Sequence, residues 1–399
     1  MNDKVLNNIA VNNFRLPINI DSDYKYSHLL VKKLDEYIGK IKSIEDFPSE
    51  IIESTEENIK LITESLRHYY NANIDKAKKN IFSLLSKYKD NSFIVSKLDK
   101  SYAFREIAPF ENLQTRNYPY DKMNSEELSF FKARVGGEKF LRRDMLHIPF
   151  DKRELIKTQR FSIPGVPCLY LGTTSYVCWL EMNRPQDSEF NVSSYKIPKE
   201  LIILNLVGDQ MLINGQASNS LLCPNEARFE NISLLKAMIE FFPLICATSY
   251  TVRNTDRQFK SEYIISQLVM QCLEELNIDG IAYVSKQVSS GIIGYPQCVN
   301  LAIPIKANYD FKIDADIKKY GEVCKDITLT NPVNLSEYLK VMHSYVYVDK
   351  YSYINSCFTD GSFSLIELSG REIAYQDSIF SKFDDYLCSL NHKLSDVFE

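Results

Sequence analysis

Two charged side chains bound a largely apolar run in this sequence, RFSIPGVPCLYLGTTSYVCWLE, with Arg160 opening it and Glu181 closing it. A carboxylate set beside Trp179, Leu180 and Met182 is costly to bury unless it has hydrogen-bond partners or a reaction to serve. Spacing alone is also met by a glutamate on the exposed side of a helix. Other chemical devices are missing from the chain. It has no GxxxxGK[ST] loop and no GxGxxG at a strand–helix turn. Its nine cysteines form no CxxC pair, and its five histidines are too dispersed for a metal site by spacing.

The elements around Glu181 follow from the same run. Pro164, Gly165 and Pro167 mark a turn, and Cys168-Leu169-Tyr170-Leu171 is a short β-prone stretch. Gly172-Thr173-Thr174-Ser175 breaks that strand and offers a helix N-cap, so Tyr176 to Leu180 form the first turns of a buried helix ending on Glu181. Further on, Leu201 to Leu206 reads as a buried strand ended by Gly208-Asp209, Asn214-Gly215 as a turn, and Leu234 to Ile245 as a helix. A helix over 259–276 carries Tyr263, Ile264, Leu268, Cys272 and Leu276 on one stripe, and Asn277 and Asp279-Gly280 stop it.

Upstream, residues 24–103 read as helical. Tyr26, Leu29, Leu30, Leu34, Tyr37, Ile38 and Ile41 recur at three- and four-residue steps, as do Ile59, Leu61, Ile62 and Leu66. A third segment runs from Ile74 to Tyr88, with Asn73 and Asp75 as cap-type residues. A small bundle that packs on the main domain or dimerises fits this pattern. A HEPN-type ribonuclease needs an Arg followed by a His several residues on, and Arg67-His68 are adjacent, so no nuclease is read there. After Pro304 the chain changes character: Tyr345 to Val348 and Phe363 to Ile366 read as short strands, with a terminal helix from about Ser378.

Composition sets outer bounds. With 399 residues, 45% hydrophobic and 25% charged, the composition is that of an ordinary globular protein, and the length suits two or three units better than a single domain. A net charge of −5 gives no broad attraction to nucleic acid or anionic membranes, so neither is an expected partner. No apolar run approaches the ~20 residues of a transmembrane helix. An odd cysteine count without a secretory signal fits a reducing compartment, and the expected location is the cytoplasm.

Four blocks in order resemble the RES domain family of bacterial NAD-degrading proteins, best known as toxins of toxin–antitoxin pairs. They are Phe131-Lys132-Ala133-Arg134, the Arg160–Glu181 run, Glu262 to Leu268 leading into Asp279 to Ser285, and Val299 to Pro304. The match covers roughly residues 115–310. It implies an α+β chain: an ADP-ribosyltransferase-like RES domain at 113–310, a helical N-terminal region at 1–112, and a C-terminal α/β extension at 311–399.

The resemblance also implies a reaction. Breaking the nicotinamide–ribose bond of NAD passes through an oxocarbenium-like ribosyl cation. It needs a cation for the diphosphate, an aromatic or apolar wall, and a carboxylate near the ribose. NAD is then the substrate, and neither a metal nor a further cofactor is required. By position in the motif, Glu181 is the implied catalytic carboxylate and Arg134 the implied diphosphate clamp. Shorter family members place the arginine directly after the aromatic, where this chain has Lys132, so either residue can be the clamp. Arg160 has a role in substrate binding or in anchoring its loop, and the family's usual Asn two positions later is Ser162 here. Tyr170, Ser285 and Asn300 match pocket positions, Tyr170 with its phenol toward ribose or nicotinamide. Glu262 resembles a feature of longer members, and its place at a helix N-terminus also suits the dipole.

The expected activity is NAD glycohydrolase or phosphorylase, in a toxin or defence effector that drains NAD. ADP-ribose transfer to a macromolecule and a non-catalytic nucleotide-binding module are the alternatives. The regions flanking the core suggest built-in regulation or homo-oligomerisation, with a regulatory protein or antitoxin as a further expected partner.

Overall fold

The structure is a computed structural model and describes residues 14, 16–104, 128–207, 225–252, 257–288, 297–307, 315–341 and 365–398. Its centre is a mixed sheet whose strands alternate between two buried faces. On β8 (Gly280–Val284), Ile281 and Tyr283 pack with the helices on one side, and Ala282 and Val284 pack on the other. In spatial order the sheet runs β14 (Lys393–Leu394), β10 (Thr328–Leu329), β5 (Phe190–Lys196), β3 (Phe130–Val135) and β4 (Cys168–Gly172). It continues through β9 (Val299–Pro304), β8, β6 (Ile202–Leu206) and β2 (Val95–Lys97). Among the described residues of this sheet, β6 and β8 are the one parallel pair, and β11 (Val333–Asn334) joins the side of β5. Apart from the sheet, β1 (Ile18–Ile20) pairs in parallel with β7 (Tyr250–Val252), and β12 (Leu365–Leu368) with β13 (Arg371–Ala374) forms a hairpin.

The periodic N-terminal segments fold as expected into α1 (Tyr26–Lys42), α2 (Ser49–Tyr70) and α3 (Ile74–Ser86). Asn73 caps α3, its side chain accepting from the Lys76 amide at 3.2 Å. The helix bearing Glu181 is α4 (Ser175–Glu181). The later helices are α5 (Asn225–Ala247), α6 (Ile264–Cys272), α7 (Ala315–Tyr320), α8 (Leu335–Val341) and α9 (Ile379–Ser389). Asn277, in the left-handed region at φ 55°, ends the turns that follow α6. Among the described residues no helix is long and apolar enough to cross a membrane.

Mixed helix and sheet agree with an α+β chain. Strand pairing crosses both boundaries expected from the sequence. From the N-terminal region, β2 forms one edge of the central sheet, and α1 to α3 share a single core with α5 and α6. From beyond residue 310, β10, β11 and β14 extend the opposite edge. The strand expected at 345–348 lies outside the described residues. The 363–366 strand is observed from Leu365, and the terminal helix begins at Ile379.

One irregularity positions the site. β3 pairs with β5 at six successive positions but with β4 only once, Phe131 opposite Gly172. Continued antiparallel pairing would set Lys132 against Leu171 and Ala133 against Tyr170. Instead the strands part, and all four of these residues line a cavity at the gap.

Candidate active site

The cavity at the parting strands encloses about 450 Å³, within the range of small-molecule sites. Glu181 reaches it because α4 starts immediately after β4. Thr174 is the N-cap, accepting from the Val177 amide at 3.1 Å and donating to the Gln297 carbonyl at 2.6 Å. Thr173 pairs with Val299 through both amide and hydroxyl, at 2.9 and 3.2 Å. The three bonds to Gln297 and Val299 tie the head of α4 to the start of β9. Gly172 lets the helix lie against the strand, since a Cβ there would sit 2.4 Å from Val177 Cγ1 and 3.0 Å from Cys178 Sγ.

The structure brings Glu181, Ser285 and Asn300 together. Glu181 Oε1 accepts from Ser285 Oγ and from Asn300 Nδ2, each at 2.6 Å. Asn300 lies opposite Tyr283 on β8 and opposite Gly172 on β4, while Ser285 follows β8 directly. Two neighbouring strands thus fix one carboxylate oxygen. No described residue bonds to Oε2, and Glu181 lines the cavity. Burial raises the thiol of Cys298, with the nearby Glu181 charge adding to it.

The other three expected residues are placed differently. Arg134 is exposed on the outer part of β3, where Nη1 donates to the Asp144 carbonyl and the guanidinium lies 5.0 Å from the Phe140 ring centre. It is not among the residues lining the cavity. Lys132 does line it, but its Nζ donates to the carbonyls of Met145 and Leu146 at 2.8 and 2.7 Å. Burial, with Arg134 close by, lowers that ammonium to about 8.

Arg160 is buried in the wall, and its guanidinium donates to the carbonyls of Thr248, Glu262 and Tyr250 at 3.1, 3.3 and 2.7 Å. Of the two roles expected for it, this geometry is that of an anchor. Tyr170 offers its ring to the cavity, but its hydroxyl donates to the Phe161 carbonyl at 2.6 Å. The expected phenol contact with a ligand is thereby replaced by a main-chain bond that pins the turn before β4.

Another part of the cavity lining holds residues that the sequence reading did not assign to the site. Asn19 on β1 and Thr251 on β7 lie side by side in register and both line it. Arg257 pairs with Asp23 and, at 2.6 Å, with Glu262, which is only 3% exposed. Lys260 lies 5.0 Å from the Tyr263 ring centre. The EY dipeptide at 262–263 was a usable signal for this wall, whereas nothing local in the sequence ties Asn19 to Thr251, 232 positions away.

With this geometry in place, one comparison bears on the chain. It is similar to a protein of Bacillus subtilis (strain 168) named "Putative toxin YopC", 34% identical over 192 residues, which is 45% of this chain. The chain spans 42% of that protein's length. No family model matches the chain, and no solved structure matches it.

Proposed function

We propose that this protein is an NAD-consuming enzyme that cleaves the nicotinamide–ribose bond and acts as a toxin by depleting NAD. The observation that carries this reading is the carboxylate of Glu181, held through Oε1 by Ser285 and Asn300 at the cavity formed where β3 and β4 part. Fixing one oxygen leaves Oε2 as an acceptor of set direction. A carboxylate oriented before the reaction stabilises positive charge developing on a ribosyl ring without reorganising at the moment of bond cleavage. The rings of Tyr170, Tyr263 and Tyr283 supply the aromatic wall for a planar leaving group. The four sequence blocks that resemble RES proteins support the same reading, and the name of the Bacillus subtilis relative supports its toxin part.

The reaction as read leaves the acceptor to water or phosphate. Purified protein is incubated with NAD, with and without phosphate, and nicotinamide, ADP-ribose and ADP-ribose-1″-phosphate are separated. Nicotinamide release that disappears in Glu181→Gln, with the variant folded, is the expected result. Equal turnover by the variant would refute the assignment of the carboxylate. Absence of nicotinamide from the wild-type reaction would refute the activity.

A further inference from the structure

The cavity lining has two chemically distinct parts, and Glu181 and Asn300 belong to only one of them. The other is built on residues from the N-terminal region. Asn19 forms part of the wall. Asp23 fixes the segment that follows β7: its Oδ1 accepts from the Ser261 amide at 2.9 Å, and its carbonyl accepts from Ser261 Oγ at 2.8 Å. The Tyr263 amide donates to the Lys260 carbonyl at 3.0 Å, closing a turn around Ser261. Lys260 therefore projects from a backbone held on both sides.

The charges in this part are unequally matched. The Arg160 guanidinium is committed to three main-chain carbonyls. Arg257 is committed to the carboxylates of Asp23 and Glu262. Lys260 forms no ion pair with any described residue, and its ammonium rests over the face of Tyr263. The Arg160 guanidinium also lies near that ring, 4.7 Å from its centre. Two cations flanking one aromatic ring in a cavity wall, one with donors still open, suit an anionic ligand more than a neutral one.

We infer that the part of the cavity bounded by Lys260, Tyr263, Asn19 and Thr251 is a phosphate subsite, with Lys260 as its cation, and that the N-terminal segment around Asn19 and Asp23 is its scaffold. This rests on the proposed function for its ligand, the diphosphate of NAD, and replaces Arg134 as the diphosphate clamp. Lysine serves here as a point charge with rotatable donors, a recognised way of holding phosphate.

The test measures ADP binding by calorimetry in the full-length protein, for wild type, Lys260→Ala, Lys260→Arg and Glu181→Gln, with thermal melts confirming that each is folded. Loss of one charge-assisted contact weakens ADP about ten-fold or more in Lys260→Ala, and Lys260→Arg recovers much of it. Added salt weakens the wild type more than Lys260→Ala. Glu181→Gln binds ADP like the wild type. Equal ADP affinity in wild type and Lys260→Ala, or no ADP binding by wild type, overturns the subsite. The two readings fail separately. Wild type that leaves NAD intact yet binds ADP through Lys260 removes the proposed activity and keeps the subsite. NAD turnover with ADP binding indifferent to Lys260 does the reverse.

Discussion

Asp384, on α9, accepts the main-chain N–H of Ser175 with both carboxylate oxygens, at 3.1 and 3.0 Å, across 209 positions of sequence. Ser175 is the first residue of the seven-residue helix that ends in Glu181. The Tyr375 hydroxyl also donates to Asp384, and Tyr176 binds the main chain of Glu367 on β12 through its own hydroxyl at 2.9 and 3.2 Å. The C-terminal region thus braces the short helix that carries the candidate catalytic group.

Burial pushes the Asp384 carboxyl up to about 8, opposed by its bonds to Ser175 and Tyr375 and reinforced by neighbouring Asp385. Its unfolded value is about 3.9. Between these values the folded protein binds the extra proton, so its stability falls as pH rises from about 4 through about 8, then levels off. Tyr375, Asp385 and Cys178 are the other titratable groups facing it, and burial raises the tyrosine and the thiol well above this window. Denaturant unfolding of Asp384→Asn across this range is expected to lack the wild-type slope. Parallel curves for the two proteins would show that the carboxyl does not titrate there. Asp384→Ala leaves the Ser175 amide and the Tyr375 hydroxyl buried without a partner, a loss of about 1–3 kcal/mol each at most.

The contact of α4 with β4 makes Gly172 a sensitive position. A methyl group there would stand 2.4 Å from Val177 Cγ1, so Gly172→Ala forces the helix away from the strand and carries Glu181 with it. Overpacking of this kind costs about 1–3 kcal/mol. NAD turnover is expected to fall further than the melting temperature alone explains. Val177→Ala in the same chain opens the space again and restores part of both. Failure of the second substitution to help would locate the defect elsewhere.

Ser285 and Asn300 share one acceptor atom, and this makes their effects on turnover non-additive. Ser285→Ala or Asn300→Ala leaves Glu181 Oε1 with one donor, and the double variant leaves it with none. Each single substitution is expected to lower kcat by about ten-fold, with little change in KM, since a charge-assisted hydrogen bond is worth about 1.5–3 kcal/mol. The double variant is expected to lose less than the product of the two. Steady-state kinetics on the four proteins give the coupling directly, and strict multiplicativity would mean that the two donors act independently.

Local pattern made much of this legible. The periodic stripes gave the N-terminal helices, and the polar break after Leu171 gave the N-cap at Thr174. The grouping of Glu181 with Ser285 and Asn300 came from motif order rather than spacing, because the three lie on separate elements. What stayed hidden depends on long-range pairing. Asn19 enters the cavity wall only because β1 adds to β7, and Asp384 reaches Ser175 only because α9 packs on α4. Arg134 and Lys132 illustrate a different limit. They stand two residues apart on one strand, yet the strand's divergence from β4 puts one at the cavity and the other outside it.

Arginines 134 and 160 should therefore respond to substitution in opposite ways. Arg134 is exposed and bonds to one main-chain carbonyl, so Arg134→Ala is expected to keep NAD turnover within about two-fold of wild type, surface changes of this sort being worth about 0.5 kcal/mol or less. Arg160 is 9% exposed and donates to three main-chain carbonyls near the cavity, those of Thr248 before β7, Tyr250 on β7 and Glu262 before α6. Arg160→Met keeps much of the side-chain volume but removes every donor, which exposes the cost of those carbonyls at about 1–3 kcal/mol apiece before relaxation. Its melting temperature falls, and turnover falls with it. Arg160→Lys recovers only part, because an ammonium cannot span three acceptors in the plane a guanidinium does. Paired melts and turnover assays on the three variants check both expectations. A strong kinetic defect in Arg134→Ala without loss of stability would return the anion-binding role to Arg134.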